Sequence, residues 1–286
     1  MRPIIKTLPA NISTDDTIGG QKESNAVHHA LIESLGNYCS YCEMPLSGYH
    51  VEHLKFHAAW PEQVTFRQWD ELLLICNDCR THIRIPELND LSAAAMLWPD
   101  KDPSFSLFNS PLKYELRKVN YIVENEGEII SQEMKELVFV VAAKDAGEVL
   151  YEKAFNTITH FQLNMQLEFY QEAKGELRVP LSVHQQRLDN RMFKRTETWF
   201  DALDSINRLK EADQANDGSI PNFAALRKLL VNQIALTAWW AGNWSVWMTV
   251  FYQQTNDLEL LRTAFAGNTH EFYGLNNDHD ALFRAQ

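Results

Sequence analysis

Cys39-Ser40-Tyr41-Cys42 and Cys76-Asn77-Asp78-Cys79, with Val51-Glu52-His53 between them, decide how this chain is read. These two Cys-x-x-Cys pairs hold all 4 cysteines of the sequence. Ligands three residues apart let one tight turn present both sulfurs to the same ion, and two such turns close a tetrahedral shell around Zn²⁺. Unrelated core cysteines have no reason to fall into two such pairs. Two disulfides need an oxidising compartment, which nothing in the sequence suggests. A thioredoxin-like centre needs one Cys-x-x-Cys in a βαβ setting. The expectation is a structural zinc held by Cys39, Cys42, Cys76 and Cys79. Glu52 and His53 are an adjacent carboxylate and imidazole, residue types suited to metal-assisted chemistry.

Composition sets the class. At 286 residues, 45% hydrophobic and 22% charged, the chain is long enough for two modules of an ordinary soluble protein. No apolar run reaches the length of a membrane span. The opening residues 1–16 have no apolar h-region, so cytoplasmic residence is expected. A net charge of −12 is unlike that of a free-standing DNA binder, whose affinity rests on neutralising phosphate. It leaves room for a local basic patch or a basic partner subunit.

The fold class expected is α+β: a small Cys₄-zinc-stapled ββα module over residues 1–100, then a mainly α-helical region over 101–286. In the first module, Asn25 to Leu35 reads as a helix capped by Gly36. Tyr49 to Leu54 reads as a strand, Trp69 to Ile75 as an apolar run into the second knuckle, and a helix begins near Cys79. In the second, a short β segment near 114–130 turns at Asn125-Glu126-Gly127-Glu128. Helical spacing is then read in Glu133–Phe155, Asn164–Ala173, Asn190–Ala212 and Phe223–Trp240, and Ser245–Phe251 continues the apolar character. Arg187, Arg191 and Arg195 share one helical face, where ion pairs to acidic helices or contacts to a nucleic-acid backbone are the two readings. Trp239, Trp240, Trp244 and Trp247 read as core or partner interface.

Tyr38-Cys39-Ser40-Tyr41-Cys42-Glu43, Val51-Glu52-His53 and the run from Trp69 to Cys79 resemble the HNH, or ββα-metal, nuclease superfamily. More narrowly, the chain is similar to the HNH nuclease subunits of bacterial anti-phage systems of the Septu and retron-associated kind. Met1-Arg2-Pro3-Ile4, Leu97-Trp98-Pro99-Asp100, Trp244 to Phe251 and Ala264-Phe265-Ala266-Gly267 fit that family as well. The resemblance implies an endonuclease acting on nucleic acid, DNA above all, in antiviral defence. It implies Glu52 as ligand to a catalytic Mg²⁺ or other divalent ion, and His53 as general base. It also implies a protein partner such as an ATPase subunit; a homo-oligomer is a further possibility.

Several positions depart from the family pattern. Glu71 stands where an Asn is usual, and Arg80 where a metal-ligating Asn or His is usual. A guanidinium has no lone pair to give a metal. Phe56-His57 and Ile83 replace further motif residues. His82 is the candidate substitute ligand beside Glu52, and Arg80 and Arg84 are candidate phosphate contacts. The alternative function is a catalytically inactive zinc scaffold that binds a partner protein.

Overall fold

The computed structural model describes residues 17–18, 29–32, 36–46, 52–53, 64–65, 73–79, 95–99, 102, 110–164, 169–186 and 189–265. The architecture is α+β, with a helical C-terminal region. Four two-residue strands come first: β1 (Thr17–Ile18), β2 (Glu52–His53), β3 (Val64–Thr65) and β4 (Leu74–Ile75). β1 pairs with β3 and β2 with β4, both antiparallel. Residues 29–32 are helical, and the Gly36 amide donates to the Ile32 carbonyl at 2.7 Å. Gly36 has φ 73°, the left-handed conformation that glycine adopts readily.

The larger sheet has four strands in the order β6-β5-β8-β7. β5 (Leu112–Asn125) and β6 (Glu128–Ala142) form a long hairpin. Its turn places Glu126 at φ 50° and Gly127 at φ 87°, the two left-handed positions a tight, right-twisted hairpin requires. β8 (Glu176–Pro180) runs parallel to β5, and β7 (Tyr170–Gln171) pairs antiparallel with β8.

The hairpin corrects two expectations. The β segment near 114–130 is part of a longer pair spanning 112–142, and the helix read over Glu133–Phe155 begins only at Glu148. The reason is burial on both faces. Val138 and Val140 join one core with Leu112 and Tyr114, while Leu137 and Phe139 join another with Val119, Tyr121 and Leu177. A strand apolar on both sides shows no period-2 alternation, so its sequence does not separate it from a helix. The helix read over Asn164–Ala173 is replaced, in the described part, by β7 and a 3₁₀ turn at Glu172–Lys174. Asn164 instead acts as a strand mimic: its Oδ1 accepts from the Val140 amide at 2.8 Å and its Nδ2 donates to the Val140 carbonyl at 2.7 Å. That satisfies backbone groups along β6, an outer strand of the sheet.

The helices are α1 (Glu148–His160), α2 (Leu181–Gln186), α3 (Arg191–Ala215), α4 (Phe223–Ala241), α5 (Trp244–Thr255) and α6 (Leu258–Phe265). α3 packs against β6, α4 and α5. Trp244 and Trp247 are fully buried in α5. No described helix is long and apolar enough to cross a membrane. One buried cluster runs through Leu31, the four knuckle residues Tyr38, Cys39, Tyr41 and Cys42, then Ile158, Trp199, Trp247 and Leu261. The knuckles are therefore set into the same core as the helices.

Candidate metal centre

The first knuckle is built by backbone bonds. The Cys39 amide donates to the Met44 carbonyl at 2.9 Å, and the Glu43 amide returns to the Cys39 carbonyl at 3.0 Å. Glu43 sits at φ 60°, which turns the chain back after Cys42 and brings the Met44 carbonyl opposite the Cys39 amide. Tyr38 and Pro45 bridge below the turn. The second knuckle follows β4 directly, and residues 77–79 are helical. The Cys79 amide points at the Cys76 sulfur, 3.4 Å away. One bond sets the two knuckles in register: the Ser40 amide donates to the Leu74 carbonyl at 2.7 Å.

The result is a cluster of four free thiols whose sulfurs all lie within 4.8 Å of one another. The Cys42 and Cys76 sulfurs are 3.5 Å apart. Sulfurs bound tetrahedrally to zinc at its usual bond length stand about 3.8 Å from one another. The donor set and its spacing thus fit a structural metal ion. Cys39, Cys42 and Cys79 are buried and Cys76 is half-buried, which closes the site to solvent on most sides.

The electrostatics call for a cation. Burial works to raise the Cys39 thiol, but hydrogen bonds from Cys42, Cys76 and Cys79 outweigh it and bring it well below its ordinary value. Burial pushes the Cys42 and Cys79 thiols well above theirs, and the Cys39 neighbour raises both further. Zinc-type ligation needs all four sulfurs as thiolates, which burial alone opposes at Cys42 and Cys79. A metal ion lets them ionise, and its entry displaces their protons.

A second layer of residues surrounds the cluster. Arg191, at the start of α3, is 1% exposed. Its Nη1 donates to the Cys79 sulfur at 3.0 Å and to the Phe161 carbonyl at 2.9 Å. Its Nη2 donates to the Gln162 carbonyl at 3.0 Å and to Asp189 Oδ2 at 2.7 Å, and its Nε reaches Asp189 Oδ1 at 3.0 Å. Burial works against this charge, but the Cys79 sulfur and the Asp189 carboxylate outweigh it and hold the guanidinium well above its ordinary pKa. Such a contact orients a ligand and offsets the surplus charge of a four-thiolate site. The Phe161 ring stacks on Tyr41 of the first knuckle, with centroids 3.8 Å apart. Arg195, one turn on, donates to the carbonyls of Val138 at 3.2 Å and Leu163 at 2.9 Å.

These two arginines settle their own reading. They belong neither to ion pairs with acidic helices nor to a nucleic-acid surface; they lie in the core. Arg187 lies outside the described residues. The signal was present in the spacing, since Arg191 and Arg195 continue the buried stripe Trp199, Ala202, Ile206 and Leu209 of α3. Among the described residues, the carboxylate that pairs with Arg191 is that of Asp189, two positions upstream.

Glu43 ties the first knuckle to α5. Its carboxylate accepts from the Ser245 amide at 2.8 Å and the Ser245 hydroxyl at 2.5 Å, and its carbonyl accepts from the Asn243 amide at 3.0 Å. A carboxylate at a helix N-terminus satisfies orphan donors and complements the dipole. Gly242, φ 70°, lies so close that an added Cβ would stand 2.5 Å from the Glu43 carbonyl oxygen. The Tyr38 hydroxyl donates to the Trp239 carbonyl near the end of α4.

Glu52 and His53 occupy β2, whose partner β4 leads straight into Cys76. The register pairs Glu52 with Ile75 and His53 with Leu74. Arg80, His82 and Arg84, like Glu71, lie outside the described residues. No family model, curated protein or solved structure matches the chain. Its function is therefore to be sought in the chemistry of this site.

Proposed function

We propose that the chain is an HNH-type, metal-dependent endonuclease subunit that hydrolyses nucleic-acid phosphodiesters, with DNA as substrate, in anti-phage defence. The observation that supports this most is the pairing of the Glu52–His53 strand with the strand entering the second knuckle. It sets an adjacent carboxylate and imidazole on a backbone fixed to a four-cysteine cluster. The cysteine site holds Zn²⁺ as a structural ion, because four thiolates in a closed shell suit that metal.

In this reading, a divalent ion such as Mg²⁺, when bound, neutralises the scissile phosphate and the leaving oxygen. Glu52 supplies a carboxylate oxygen to hold it, with His82 as the candidate second ligand. The His53 imidazole takes the proton from the attacking water, and Arg80 and Arg84 are the candidate contacts to phosphate. The net charge of −12 favours action with a protein partner, for which the family resemblance points to an ATPase subunit.

The test is plasmid nicking by zinc-loaded protein in Mg²⁺, Mn²⁺ or Ni²⁺, beside His53→Ala. Nicking is expected from the parent protein, and its loss from the variant with zinc content and melting temperature unchanged. Folded, zinc-loaded protein that leaves plasmid intact both alone and with its ATPase partner is the result that favours the scaffold reading instead.

A further inference from the structure

α4 presents an unusual outer face. Its inner side is buried through Val231, Ile234, Ala235 and Ala238. Its outer side exposes Leu226 (52%), Leu229 (64%), Leu236 (38%) and Trp240 (70%), with exposed Gln233 in their midst. The positions 226, 229, 233, 236 and 240 are spaced three, four, three and four residues apart, the repeat that makes one helix pack along another. An exposed helix of a self-sufficient fold carries polar residues there.

We infer that this stripe is a self-association surface, and that its occupant is α4 of a second copy of this chain, crossing antiparallel at Gln233. Two features favour a copy over a charged partner. No charged residue occurs from Leu229 to Asn256, so the stripe beyond Lys228 offers no charge to an acidic or basic groove, and Arg227 beside Leu226 is already paired with Asp213. It is also the uncharged part of a chain carrying −12, where two copies approach with least repulsion. The stripe is nearly symmetric about its centre. Leu226 and Trp240 lie seven residues either side of Gln233, and Leu229 and Leu236 lie four before and three after it. A two-fold axis there lays Leu226 against the second copy's Trp240 and sets the two Gln233 amides to bond reciprocally, as an isologous interface demands. A polar residue at the centre of such a seam fixes register at a cost in strength.

The stripe is about 21 Å long at the rise of an α-helix. A patch on the order of a few hundred Å² is smaller than the roughly 800 Å² per partner of a standard stable interface. The dimer is therefore weak and concentration-dependent. It is anchored to the metal centre through the Tyr38–Trp239 hydrogen bond and the packing of Trp239 on Trp240, ring centroids 4.3 Å apart.

The test is sedimentation of the full, zinc-loaded chain across a concentration series, with a photo-crosslinking residue at Gln233 in a parallel sample. A monomer–dimer equilibrium is expected, with crosslinks joining two chains at α4. Leu229→Glu with Leu236→Glu abolishes the dimer while melting temperature and zinc content hold, because both side chains are exposed. Gln233→Leu tightens it. A chain that stays monomeric at its highest soluble concentration overturns the proposal. So does a crosslink confined to residues 266–286 of the same chain, or a dimer untouched by the double substitution. None of these readouts depends on cleavage, so the outcome is independent of the nuclease reading.

Discussion

The knuckle region (36–46 and 73–79) and the sheet-and-helix region (110–265) are held by different forces. The second buries large apolar side chains such as Phe139, Phe161, Trp244, Trp247 and Phe251 along regular elements. The first has one two-residue strand, β4, single turns and four sulfurs around a common centre. Its buried residues, Tyr38, Tyr41 and Leu74 among them, share the core of the helices, but so little regular structure offsets only part of the chain entropy of ordering it. An ion held by the four sulfurs would supply the difference, as in small metal-stapled domains generally. The contrast is bridged by polar contacts: Arg191 to Cys79, Glu43 to Ser245, Tyr38 to Trp239.

Removing the metal tests the contrast most severely. Chelation, or Cys39→Ser, is expected to expose the amides of residues 36–46 and 73–79 to hydrogen exchange while the 112–142 hairpin and α3 stay protected. Structural zinc contributes about 10 kcal/mol or more in small domains, so the effect is the largest available. Uniform loss of protection across the chain breaks the comparison and makes the two regions one cooperative unit.

Arg191→Met comes next. It deletes the donor to Cys79 and to two carbonyls and leaves Asp189 without this cation. Removing one side of a buried charged pair costs about 3 to 5 kcal/mol, and losing such an outer contact lowers metal affinity about 10- to 100-fold. Competition with a zinc chelator reads the affinity, and denaturant unfolding reads the stability. An unchanged metal affinity with lowered stability would assign Arg191 to packing alone.

The smallest effect belongs to the link between the first knuckle and α5. Glu43→Ala removes both bonds to Ser245 and is expected to cost about 2 kcal/mol, close to the range for hydrogen bonds to a charged group. Arg208→Ala is the control. Its pair with Asp204 is a solvent-exposed contact of the i,i+4 kind, and its loss is expected to leave the unfolding midpoint nearly where it was.

The four-cysteine cluster was legible because ligand spacing is local: two turns of known geometry follow from Cys39/Cys42 and Cys76/Cys79 without knowledge of the rest. α3 and α4 were legible because one face of each repeats at the helical period. β6 was not, because its residues 137–140 are buried on both faces and present a continuous apolar run.

Sequence by itself determined the class of donor, the number of sulfurs and the helical character of the C-terminal region, since each depends on residue type and near-neighbour spacing. Tertiary structure alone decided what surrounds the sulfurs. Arg191 stands 112 positions from Cys79 in the chain, and Glu43 stands 202 from Ser245. A buried charge takes whichever partner the packing brings within reach, and no local pattern encodes that choice.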